Sequence, residues 1–172
     1  MPELTPQERL QPALLDRLID DQPDRRQESR EARVISATKL RRAVLRDLSW
    51  LFNTTRLERD AELAAWPYAQ RSVVNFGLPP LAGGTASTLD VPALETAIRQ
   101  AILDFEPRIA PASLEVEAVA SELTLDHHNV VAVQIRGQLW AQPVPLEVLL
   151  RTELNLETGE VEIREMGRSA LG

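Results

Sequence analysis

The hydrophobic period changes once along this chain, from about 3.6 residues to two, and that switch restricts the fold more than any single motif. In residues 37–53, ATKLRRAVLRDLSWLFN, the positions Leu40, Val44, Leu48 and Leu51 fall at offsets of zero, four, eight and eleven. On a helix they form one stripe, which Leu45 and Phe52 broaden. Residues 92–105, PALETAIRQAILDF, repeat that spacing with Leu94, Ile98, Ile102 and Phe105, and Ala101 lies inside the stripe. Each pattern predicts a helix whose stripe enters a core, since burying such side chains contributes roughly 1.5–3 kcal/mol apiece. Ser36 suits the N-cap of the first helix and Pro92 the first turn of the second. Pro107 stops the second helix, because a proline pushes the residue before it out of the α region.

From residue 113 onward the alternation is strict. SLEVEAVA puts Leu114, Val116 and Ala118 on one face, and VVAVQIRGQLWA does the same with Val131, Val133, Ile135 and Leu139. In EVLLRTELNLETGEVEIRE, Val148, Leu150, Thr152, Leu154 and Leu156 alternate with polar residues. Glu157-Thr158-Gly159 supplies a turn, and Val161 and Ile163 continue a return strand. Helices first and strands afterwards predict an α+β fold: N-terminal helices packed on a small antiparallel or mixed sheet, ending in a β-hairpin. Between the halves, residues 54–92 hold the apolar patch SVVNFGLP and then Pro79, Pro80, Gly83 and Gly84, which predicts a long loop.

The N-terminal part reads differently. Leu14, Leu15, Leu18 and Ile19 give a short amphipathic helix, followed by the charged stretch DQPDRRQESREAR. A helix this short is marginal alone and must dock on something. The expected organisation is a docking helix and linker over 1–33, one domain over 34–166 and a tail over 167–172.

Several function classes are disfavoured. The net charge of −7 opposes nucleic acid as a main partner. The basic stripe Lys39, Arg41, Arg42 and Arg46 reads as solvated or protein-facing. No run of about 18 apolar residues suggests membrane insertion, and MPELTPQERL has no secretory-signal character, so a cytoplasmic protein is expected. Without cysteine there is no disulfide or thiolate chemistry. His127 and His128, beside Asp126, read as a turn rather than a metal site, because neighbours in a strand point to opposite faces. AGGTAST lacks the lysine of a phosphate loop, and no nucleophile elbow is present. No metal or other cofactor is expected.

Glu106-Pro107-Arg108, just past the second helix, has three readings. Glu106 could be the acid of a lysozyme-like peptidoglycan hydrolase. Against this, a guanidinium beside it stabilises the carboxylate form, the reverse of what a general acid needs. The two charges could pair locally at the helix end. Or a proline-fixed corner could present them to a partner.

Taken in order, LRRAVLRDLSWLFNT, SVVNFGLP and IRQAILDFEPRI resemble the baseplate wedge proteins of contractile phage tails, and the N-terminal LQPALLDRLIDD makes the chain most similar to the TssE family of type VI secretion baseplates. The resemblance implies a non-enzymatic assembly part of a membrane-docked baseplate. It implies binding to the TssF and TssG wedge core through Glu106, Pro107 and Arg108, with TssK as a further neighbour. It also implies starting the TssB–TssC sheath, for which the hairpin offers an edge around Leu154, Leu156, Val161 and Ile163. On this reading Glu106→Ala and Arg108→Ala each leave the fold intact and weaken wedge assembly.

Overall fold

The computed structural model describes residues 14–18, 36–57, 63, 65–82, 89–119, 129–141 and 144–166. Helix α1 spans Leu14–Leu18, α2 Ala37–Phe52, α3 Pro67–Gln70 and α4 Val91–Phe105. Strands β1 (Glu115–Ala118), β2 (Val130–Leu139), β3 (Leu146–Asn155) and β4 (Val161–Glu165) follow. They form one sheet in the order β1-β2-β3-β4, antiparallel throughout. The fold is α+β, and the sheet is antiparallel rather than mixed.

Both long helices start as their sequences require. Ser36 Oγ accepts from the Lys39 N–H at 3.2 Å, and Asp90 Oδ1 accepts from the Ala93 N–H at 3.0 Å. Their stripes pack together over one face of the sheet. Leu40, Val44, Leu48 and Leu51 of α2 join Leu94, Ile98 and Ile102 of α4 in a single core with Val131, Val133, Ile135, Leu150 and Leu154. The register sets Val131 opposite Leu154 and Ile135 opposite Leu150, so the alternating apolar positions meet in rows. Thr152 lies among them and is buried, its hydroxyl donating to Val133 O at 2.9 Å.

Residues 54–57 and 65–82 are more structured than a long loop. Thr55 and Leu78 form a parallel bridge, with Leu78 N–H donating to Thr54 O at 2.8 Å and Arg56 N–H to Leu78 O at 2.9 Å. Gly77 makes this close approach available: its φ is +126°, and a Cβ there would collide with the Thr54 carbonyl. Short helical turns at Pro67–Gln70 and Val73–Asn75 precede it. Val73 and Val74 are exposed, whereas Leu78 is core, so only the second half of SVVNFGLP is buried as an apolar patch should be. Residues 83–88 of AGGTAST, Ile19 and Asp126-His127-His128 lie outside the described residues.

Candidate functional site

Helix α4 ends where Glu106 caps it, its N–H donating to Ile102 O at 2.8 Å. The chain then turns through Pro107 and pairs with the end of β2: Trp140 N–H donates to Arg108 O at 2.7 Å, and Ala110 N–H to Gln138 O at 2.8 Å. The Arg108 backbone is therefore held from both sides, since its own N–H donates to Glu106 Oε1 at 3.2 Å.

The side chains build a continuous chain of charges. Arg108 Nε donates to Glu106 Oε1 at 2.6 Å, and Nη2 to Glu106 Oε2 at 2.5 Å and to Asp47 Oδ2 at 2.6 Å. Asp47 Oδ1 then accepts from Arg46 Nε at 2.8 Å, and Arg46 Nη1 donates to Asp16 Oδ1 at 2.7 Å. The Arg46 guanidinium also lies over the Trp50 ring, 5.3 Å from its centroid. Five residues from α1, α2 and the corner after α4 are thus linked.

Glu106 is only 2% exposed. The local-pair geometry is present, but the acid is enclosed by its arginine and by backbone, leaving no open carboxylate for a sugar ring. Pro107 is exposed and Arg108 half-buried. Burial disfavours the Arg108 cation, yet the hydrogen bonds and charges of Glu106 and Asp47 outweigh it and raise its pKa. Arg46 is likewise raised, first by its hydrogen bond to Asp47, against desolvation and with help from Asp16. Both arginines stay cationic at any physiological pH. Arg108 Nη1 and Arg46 Nη2 are buried without a hydrogen-bond partner among the described residues.

Around the network lie exposed apolar side chains. Trp50 is 52% exposed and Trp140 58%. Leu14 and Leu18 of α1 are each 72% exposed and Leu15 less so; α1 meets the network through Asp16, not through its leucines. Asp47, Asp16, Trp50 and Trp140 were not among the residues singled out from sequence, and Arg46 was read only as part of a basic stripe. Asp47 had a signal: it follows buried Ala43 by four and Val44 by three, which sets a charge at the margin of the apolar stripe.

The hairpin residues separate into two groups. Leu154, Leu156 and Val161 are core, and Ile163 is partly buried against it. β4 is nonetheless the last strand of the sheet, so its outer side is an edge. Among the described residues no group of acidic or histidine side chains could hold a metal ion, and no helix is long and apolar enough to cross a membrane.

The comparison with known families gives the class, a baseplate component. Residues 38–144 match the profile of the family described as baseplate wedge protein gp25, and the chain belongs to that family. The matched span holds α2, α4, the Glu106–Arg108 corner and β2, while α1 and the β3–β4 hairpin lie outside it. No curated protein and no solved structure matches the chain.

Proposed function

We propose that this chain is a non-enzymatic wedge subunit of a type VI secretion baseplate, working on the cytoplasmic side of the membrane. On this reading it binds the TssF–TssG core, beside TssK, through the corner centred on Arg108, and starts the TssB–TssC sheath from the β4 edge. The carrying observation is the Glu106–Arg108–Asp47 network, with Glu106 enclosed, Arg108 half-buried and Trp50 and Trp140 exposed nearby. Arginine and tryptophan in a rigid setting are the residue types that dominate protein interfaces. Glu106 then serves as the support that fixes Arg108, rather than as a contact of its own. The exposed leucines of α1 extend the same surface towards a wedge neighbour.

Co-purification with TssF and TssG tests this. Arg108→Ala is expected to keep a native circular dichroism spectrum and to weaken capture by roughly 30-fold, the loss of one hot-spot side chain. Capture at the wild-type level would show that the corner is not the wedge contact.

A further inference from the structure

Asn53 stands where the end of α2 meets the outer side of β4. Its side-chain Nδ2 donates to Ser49 O at 2.9 Å, closing the helix end. The same Nδ2 donates to Val161 O at 2.8 Å, and Oδ1 accepts from Val161 N–H at 2.9 Å. A side-chain amide that both gives to and takes from one residue reproduces the two bonds that a paired strand residue would make.

The hairpin register shows what this leaves open. Asn155 N–H donates to Glu160 O and Met166 N–H to Leu149 O. Antiparallel alternation then turns the backbone groups of Glu162 and Arg164 towards β3, and those of Val161, Ile163 and Glu165 outwards. Asn53 occupies Val161. Farther along, Arg41 of α2 donates through Nη2 to Glu147 O at 2.9 Å and holds Glu165 Oε1 through Nη1 at 2.6 Å. The outward backbone groups of Ile163 and Glu165 remain between these two contacts.

We propose that Asn53 is an edge stop: it confines strand addition on β4 to Ile163–Glu165 and so sets the register of the incoming strand. This rests on the reading of β4 as the sheath-pairing edge. The occupant it fits is an extended segment of another protein, not a second copy. A symmetric antiparallel copy using these groups sets either Arg164 against Arg164 or Glu165 against Glu165, and the remaining pairing needs Val161. Like charges directly opposite are destabilising. Arg151 already faces Arg164, and Glu153 faces Glu162, across the hairpin. Arg164 already holds Glu162 along β4, its Nε and Nη2 donating to Glu162 Oε1 at 3.0 and 2.9 Å. An acid beside Arg164 and a base beside Glu162 on the incoming strand extend that alternation of charge. A slip in register would reverse its faces or its charges.

The test is hydrogen exchange of the three amides at single-residue resolution, in the full chain alone and bound to a TssB–TssC heterodimer. Alone, Val161 exchanges slowly and Ile163 and Glu165 fast; Asn53→Ala speeds Val161 roughly tenfold, one hydrogen bond's worth. Val161 exchanging as fast as Ile163 in the unaltered chain overturns the proposal. In the complex, Ile163 and Glu165 become slow. A disulfide from Ile163→Cys to a cysteine scan of the sheath strand is expected at one position, and Asn53→Ala spreads it to positions two residues away. Asn53→Asp, which keeps the acceptor for the Val161 N–H, spreads it less and guards against misfolding of the alanine variant. Slow amides with an unchanged cross-link in both variants sink the stop but keep the sheath reading. Amides that stay fast in the complex sink both.

Discussion

At the scale of single residues, Glu106 and Arg108 look equivalent in the sequence and are unequal in the structure. Glu106 is enclosed and accepts three hydrogen bonds from Arg108, whereas Arg108 reaches on to Asp47 and stays half-buried. Removing the acid leaves a guanidinium short of its main counter-charge. Glu106→Ala is therefore expected to cost roughly 3 kcal/mol in urea unfolding, contrary to the expectation that both alanine variants leave the fold intact. Arg108→Ala leaves an enclosed carboxylate with only the Arg108 N–H as donor, but one that water can reach by way of the vacated side chain, so a smaller loss is expected. Equal and negligible losses would show that the corner is a surface pair. Gly77 is constrained by its backbone instead. Gly77→Ala combines a disfavoured φ with a clash on Thr54 O, and is expected to lower stability by about 1–3 kcal/mol or more; an unchanged thermal midpoint would contradict that geometry.

At the scale of elements, the edge strand refines where a proline can be used as a probe. At Val161 it would remove the N–H that Asn53 accepts from and disturb a core side chain. At Ile163 it removes an outward donor and a partly buried side chain but leaves the β3 ladder in place. Ile163→Pro is expected to fold and to bind TssF–TssG while losing most sheath initiation, read by sheath assembly in cells; normal sheaths would rule out pairing there. The elements themselves were legible because both long helices and three of the strands carry unbroken periodicity. Leu48 or Leu150 can be assigned from spacing alone. The Thr55–Leu78 bridge could not, since one isolated parallel contact leaves no periodic trace and depends on a glycine with φ of +126°. The acid–arginine corner was legible as a motif, but its partner Asp47, and Asp16 joined to it through Arg46, were not legible as partners, because they come from helices distant in sequence.

At the scale of the whole molecule, the two proposed surfaces share α2. Arg41 and Asn53 reach from it to the hairpin, while Arg46 and Asp47 reach from it to the Arg108 corner. The short helix α1 is tied to the same element by the Asp16–Arg46 pair and shows its leucines outwards. Leu14→Glu with Leu18→Glu is expected to change stability by less than about 0.5 kcal/mol, as exposed substitutions do, and to reduce recovery of the assembled wedge; a large loss of stability would mean that the leucines are packed in the chain itself. The shared helix has a mechanical consequence. With 16 residues it is a strut of about 24 Å, and its hydrogen bonds to β4 and to the corner hold it at either flank. On the proposed reading, a pull exerted on the hairpin would pass through this one helix to Arg108 instead of along the connecting backbone.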